Sequence, residues 1–219
     1  MHTPEVSMQS YYSARALEYD RVYEKPERQD DIRSLQAWLP PLFLDSRVLE
    51  VTCGAGFWTQ FIAPYASSIV AIDSAPETIA IAESRVPRDK VSFLVGHAYC
   101  LPLDRGPFQA AFAGFWLSHV PKKRQREFLR GVSAALQPGA SVVLIDNLYI
   151  EGSNLPITER NPDGDTFQTR RLEDGSAHRV LKNFPSEAEL HELLEGLGRN
   201  VVFTRFEYYW PIQYFTTEP

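Results

Sequence analysis

Cysteine is scarce in this sequence: Cys53 and Cys100 are the only two in 219 residues, too few for a disulfide framework. Neither they nor the five histidines form a C-x2-C or H-x3-H spacing, so no metal site is expected and both thiols read as small buried side chains. Positive charge is short as well. The 22 lysines and arginines against 28 aspartates and glutamates leave a formal charge of −6, which disfavours general affinity for nucleic-acid backbones or anionic membranes. No apolar run approaches membrane-spanning length, and the opening MHTPEVSMQS lacks a basic stretch leading into an apolar one. Repeats and low-complexity tracts are missing too. These absences predict a cytoplasmic single domain over residues 1–219, a monomer or homodimer with a small-molecule substrate and neither nucleic acid nor membrane as partner.

What the chain does have is a regular alternation of strand-like and helix-like stretches. SRVLEVT (46–52) leads into a helix running to about 66, SSIVAIDS (67–74) into PETIAIAESRV (76–86), and KVSFLVGH (90–97) into a polar connection. FQAAFAGF (108–115) precedes the helix PKKRQREFLRGVSAALQ (121–137), and ASVVLIDN (140–147) follows the stop signal Pro138-Gly139. Alternation of this kind predicts an α/β fold of parallel strands joined by right-handed crossovers. Ser74 before Pro76 and Glu77 reads as an N-cap, and Ser186 with Glu189 as a capping box. After the helix SEAELHELLEGLG (186–198), NVVFTRFEYYW and PIQYFT read as two closing strands with no helix between them, so one is antiparallel. Two segments fall outside this core. Residues 8–39 read as one or two amphipathic helices, and residues 148–184 contain two extended runs around Asp174-Gly175, a hairpin signal.

Gly54 and Gly56 end the first strand and open the first helix, where backbone can approach a ligand closely and helix amides can receive an anion. The second strand ends on Asp73, placed to accept bonds from both hydroxyls of a ribose. A nucleoside-type cofactor follows from the pair. A third glycine near position 59 is missing, Thr59 being there, and the bulky Phe57-Trp58 stands where a pyrophosphate needs small residues, which argues against NAD.

LEVTCGAG resembles motif I of the class I S-adenosylmethionine-dependent methyltransferases, VAIDSAPETIAIA their second motif, and LQPGASVVLID the turn and strand that follow their fourth strand. The resemblance, over about residues 46–147, implies a Rossmann-like seven-stranded sheet of order 3-2-1-4-5-7-6 with one strand antiparallel. N-terminal lid helices and a β-hairpin insertion after strand 5 would be added to it. It implies S-adenosyl-L-methionine as cofactor. Glu50, Gly54 and Gly56 would line its methionine and ribose, Asp73 would hold the ribose diol, and Trp58 and Phe115 would be further contacts. Two positions depart from the pattern. Thr52 replaces the first motif glycine, so an ordinary β backbone is expected there. His97 stands where many members carry an aspartate for the adenine amino group; His97 or the main chain at Ala98 would take that role.

The acceptor side is read from three blocks. FWLSHVP places Phe115 and Trp116 as aromatic walls and His119 just beyond a strand's carboxyl end, as general base or as donor to an acidic substrate. YYSARALEYDRVYE puts Tyr11, Arg15 and Tyr19 on one helix face, with Tyr12 and Tyr23 near it, suiting a lid over a small anion. In the hairpin, a loop Glu173-Asp174-Gly175 pairs Arg170 with His178 and lets Arg170 and Lys182 converge; a two-residue loop would pair Arg171 with Lys182 instead. The three blocks together resemble those of the phosphonate O-methyltransferases of dehydrophos biosynthesis and their relatives, implying a substrate pocket of Tyr19, His119, Arg170 and Lys182. The function expected is O-methylation of a carboxylate or phosphonate on a small anionic metabolite. N- or S-methylation of a natural product with His119 as base is the alternative, and a non-catalytic cofactor-binding regulator the second. The basic run PKKRQREFLR reads as a solvated helix face.

Overall fold

The computed structural model describes residues 16–172 and 174–217. Its main sheet holds β1 (Arg47–Val51), β2 (Ser68–Asp73), β3 (Val91–Val95), β4 (Phe108–Gly114), β5 (Leu136–Asn147), β9 (Gly198–Phe203) and β10 (Tyr209–Thr216). Their order is β3-β2-β1-β4-β5-β10-β9, the expected 3-2-1-4-5-7-6. Strands β1 to β5 run parallel, while β10 pairs antiparallel with both β5 and β9. A separate three-stranded sheet holds β6 (Glu159–Arg160), β7 (Thr166–Arg171) and β8 (Ala177–Leu181).

The apolar run in the first strand explains why helices cover both faces of the sheet. Side chains alternate along a strand, so Val48 and Leu49 point to opposite sides, and both are fully buried. On one side Leu49, Val51, Val70 and Ile72 pack with Phe128 and Val132 of α4 (Lys122–Ala134) and Leu190 of α5 (Glu187–Leu194). On the other, Val48, Ile69 and Ala71 pack with Leu35 of α1 (Gln29–Trp38) and Ile79 of α3 (Pro76–Arg85). Among the described residues no helix is long and apolar enough to cross a membrane.

Several local expectations are corrected. The helix after β1 is only α2 (Thr59–Ile62), because Pro64 lacks the N–H and the space that a continuing helix needs. At α3 the N-cap is Ala75, one residue beyond the expected Ser74, and Asp73 Oδ1 accepts from Ala75 N at 3.0 Å and Thr78 Oγ1 at 3.1 Å. The capping box of Ser186 and Glu189 forms as expected. Pro138-Gly139 does not separate helix from strand. β5 begins at Leu136 and runs through the pair, which sits at a register shift against β4 with Gly139 at φ 74°, a bulge being where a strand tolerates proline. β10 likewise starts before Pro211 and carries it inside. Thr52 is not in a β conformation: its φ is 57°, a left-handed backbone rare for a β-branched residue, and its hydroxyl turns back to bond the Val51 carbonyl at 2.6 Å. Cys53 is buried but Cys100 is exposed.

Gly56 shows how tightly the turn is set on its neighbour. At φ 75°, a Cβ on it would meet Ala82 Cβ of α3 at 3.0 Å. Gly56→Ala should therefore destabilise the protein by about 1–3 kcal/mol, through left-handed strain and overpacking together. Urea denaturation of the two proteins checks this.

Candidate active site

The carboxyl ends of β1 to β4 gather at one edge of the sheet, and the crossovers reverse direction between β1 and β4. Asp73, ending β2, ties this edge together: besides its bonds at the start of α3, its Oδ2 accepts from Gly54 N at 2.9 Å. Burial pushes its carboxyl up while these donors hold it down. Glu50 in β1 is buried with Oε2 lacking any hydrogen-bond partner among the described residues. Burial drives its carboxyl up to about 8, the Thr59 hydroxyl working against this and the Asp73 charge adding to it. His97 and Ala98 follow β3. His97 is exposed, its Nδ1 accepting from Tyr99 N at 3.3 Å and its ring stacked on Tyr99 at 5.4 Å, while Ala98 is buried. Glu50, Gly54, Asp73, His97 and Ala98 therefore share one sheet edge.

Aromatic rings join this edge to a cleft of about 640 Å³. Trp58 is buried and stacks on Phe115 with ring centroids 6.2 Å apart; Phe115, held at φ 60° with its N–H on the Ile145 carbonyl, lines the cleft beside Tyr23 and Tyr209. Trp116 turns elsewhere. It packs on the core and on the small sheet, its ring 6.5 Å from that of His119, and it is not part of the cleft wall.

His119 sits in the 3-10 turn Leu117–His119 after β4 and is buried. Its Nδ1 lies 2.6 Å from the Leu181 carbonyl, so Nδ1 carries the proton in the neutral ring and the lone pair is on Nε2. In the hairpin Arg170 pairs with His178 and Leu172 N bonds Ser176 O, the register of the three-residue loop; Arg170 and Lys182 both line the cleft. Arg179 instead lies over the Phe167 ring and pairs with Glu159 at 2.6 Å.

Lys182 is the deepest of these cations. Its Nζ donates to Asp146 Oδ1 at 2.9 Å and Ser118 Oγ at 2.6 Å, and both members of the ion pair are buried. Burial lowers its ammonium, against the pull of Asp146, and the Arg170 charge lowers it further. In the same cleft, Arg28 just before α1 donates from Nε and Nη2 to Ser153 Oγ at 3.0 and 2.9 Å and from Nη1 to Asn147 Oδ1 at 3.0 Å. Lys25 donates to the Ser153 carbonyl.

Of the expected acceptor residues, Tyr11 and Arg15 lie outside the described residues, as does the side chain of Tyr19, whose backbone belongs to the 3-10 helix Ala16–Tyr23. Sequence reasoning missed Arg28, Asn147 and Ser153. Asn147 was open to discovery, since it ends a parallel strand where ligand residues gather. Arg28, in the mixed-charge run EKPERQDD, looks like any solvated side chain.

Two outcomes follow from these buried charges. Since the folded chain holds the Glu50 proton up to about 8 against an ordinary 4.5, its destabilising effect is absent below the ordinary value. It grows across that window and is complete above it. Glu50→Gln should thus raise apo-protein stability by a few kcal/mol at about pH 9, with the gain vanishing near about pH 4.5; melts at both ends measure it. Lys182→Ala leaves Asp146 buried without its cation and should cost about 3–5 kcal/mol in denaturant titrations.

Residues 48–139 match the family model described as a methyltransferase domain. The chain is 28% identical to the solved DhpI-SAH complex, with a TM-score of 0.80 over 97% of each chain. Against the DhpI-SAM-HEP complex it is again 28% identical, with a TM-score of 0.77 over 100% of this chain and 99% of that one. A demethylmenaquinone methyltransferase of Lactococcus lactis is 25% identical over 69% of this chain and 64% of its own length. The chain spans between 33% and 64% of the lengths of five curated relatives that it matches. In sheet order, in the matched segment and in its full-length likeness to DhpI, the chain is similar to the class I methyltransferases.

Proposed function

We propose that the chain transfers a methyl group from S-adenosylmethionine to an oxygen of a small anionic metabolite, a carboxylate or a phosphonate. What carries the proposal is the convergence of Arg28, Arg170 and Lys182 on a cleft whose wall, Phe115, stacks on the tryptophan of the glycine turn. The likeness to DhpI in complexes with SAH, and with SAM and HEP, supports the same donor. The residues on the sheet edge fit it. Glu50 offers a buried oxygen with no partner among the described residues, and Asp73 is fixed at the end of β2 by donors from Gly54, Ser74, Ala75 and Thr78. When bound, the cofactor supplies a sulfonium methyl carbon, to which the acceptor oxygen's lone pair forms a C–O bond as the C–S bond breaks and its electron pair stays on sulfur.

The chain's own task is then to bind and orient. A carboxylate or phosphonate oxygen is already ionised near neutrality, so no base is needed, and the cations fix its position at some loss of nucleophilicity. His119 orients from the floor of the cleft, while Tyr23, Phe115 and Tyr209 exclude water. An N- or S-methyltransferase is a second reading, favoured by the tautomer that the Leu181 carbonyl imposes, which leaves Nε2 able to take a proton.

Calorimetry with S-adenosylhomocysteine, followed by label transfer from S-adenosylmethionine to a panel of small acids, tests the proposal. Uptake without transfer to any acceptor would favour a regulatory binder. A rate that rises through one ionisation and is lost in His119→Gln would favour the amine or thiol acceptor. Asp73→Ala should weaken S-adenosylhomocysteine binding by roughly tenfold or more. Arg170→Ala should raise KM for the acid by roughly tenfold with kcat nearly unchanged, as expected for uniform binding.

A further inference from the structure

We infer that Arg28 builds a second anion subsite in the cleft that the hairpin cations also line, and that the acceptor is an acid carrying at least two negative charges. The inference rests on the methyltransferase reading above and narrows its substrate class. Only 4% of Arg28 is exposed, yet every described hydrogen-bond acceptor of its guanidinium is neutral: the Ser153 hydroxyl and the Asn147 amide oxygen. The nearby acid, exposed Glu27, bonds Ser153 Oγ at 2.8 Å. Buried charges ordinarily meet an opposite charge, because losing water without one is costly. Three of the five guanidinium N–H groups go to these neutral acceptors. The head also lies 5.4 and 5.5 Å from the ring centroids of Tyr208 and Tyr209. Such a group is held still before any ligand arrives, which removes much of the ordering cost of binding.

Lys182 differs in this respect. Asp146 balances its charge directly, and the two cations are linked in series: Lys182 Nζ to Asp146 Oδ1, Asp146 Oδ1 to Asn147 Nδ2 at 3.1 Å, and Asn147 Oδ1 to Arg28 Nη1. Arg170 and Arg28 both depress the Lys182 ammonium, as expected of cations crowding one space. An acid with one singly charged group meets either Arg28 or the hairpin side of the cleft, whereas a dianion meets both. Methylation removes a charge from the group that receives it. The charge held at Arg28 is therefore the one that survives the reaction, and Arg28 anchors the end of the acid that is not methylated.

The test is calorimetric, on wild-type protein first saturated with S-adenosylhomocysteine, with malonate, succinate and phosphonoacetate set against propionate and butyrate. At least one multiply charged acid should bind roughly tenfold or more tightly than the monoanion of similar length. Arg28→Met should bring that ratio to within about twofold, and Arg28→Lys should restore only part of it, because lysine keeps the charge and loses the fork. Equal binding of all five acids to wild type, or an unchanged ratio in Arg28→Met, overturns the subsite. Should Arg28→Met melt early, the wild-type ratio together with Arg28→Lys still decides. Failure of the methyltransferase reading itself appears separately, as no uptake of S-adenosylhomocysteine in the first titration.

Discussion

The cleft depends on one buried ion pair, Lys182 with Asp146. Asp146 is the penultimate residue of β5 in the main sheet, and Lys182 follows β8 of the small one, so the pair crosses from one sheet to the other. Taking both charges from water costs several kcal/mol per ion, and their attraction inside the protein does little more than offset it. Its value is positional. Around it Asn183 donates from N to the Ser118 carbonyl at 2.7 Å and from Nδ2 to the Val120 carbonyl at 3.2 Å, and Lys122 N donates to Asp165 Oδ1 at 2.7 Å. Each of these polar groups finds its partner only when the hairpin is seated, which fixes where Arg170 and His119 can be.

The donor side is set by backbone geometry more than by charge. Thr52 and Phe115, just past the ends of the adjacent strands β1 and β4, both have left-handed φ values. Such positions cost on the order of 1–3 kcal/mol each and persist where the surroundings enforce them. Here the enforcers are visible: Cys53 N on the Ile72 carbonyl at 2.9 Å, and Phe115 N on the Ile145 carbonyl at 2.7 Å. The strained pair brackets the point where the strand order reverses, between the acids of the glycine turn and the cations of the cleft.

The sheet was readable from the sequence because its signals are local and repeated: short apolar runs, Gly54 with Gly56, the acid ending β2. The hairpin itself followed from one dipeptide, but its register did not: two loop lengths fitted Asp174-Gly175, and the structure takes the three-residue one. Proline misled where a strand absorbs it at a bulge or pairs around it, as Pro138 and Pro211 do, since that tolerance is decided by the neighbouring strand. The turn at Thr52 was misjudged for a related reason: residue type gives a preference, and long-range bonds overrode it. The strand positions of Glu50 and Asp73 were foreseen. Arg28 was not, because its significance lies in burial against Ser153 and Asn147, more than a hundred positions away.

The two sheets share no strand. No ladder bond of the seven strands is therefore lost when β6 to β8 vary, and only the side-chain ties between the sheets, Lys182 with Asp146 foremost, must be kept. Under the methyl-transfer reading proposed above, the acceptor wall is the part left open to variation, a division of labour that makes such a scaffold easy to diversify.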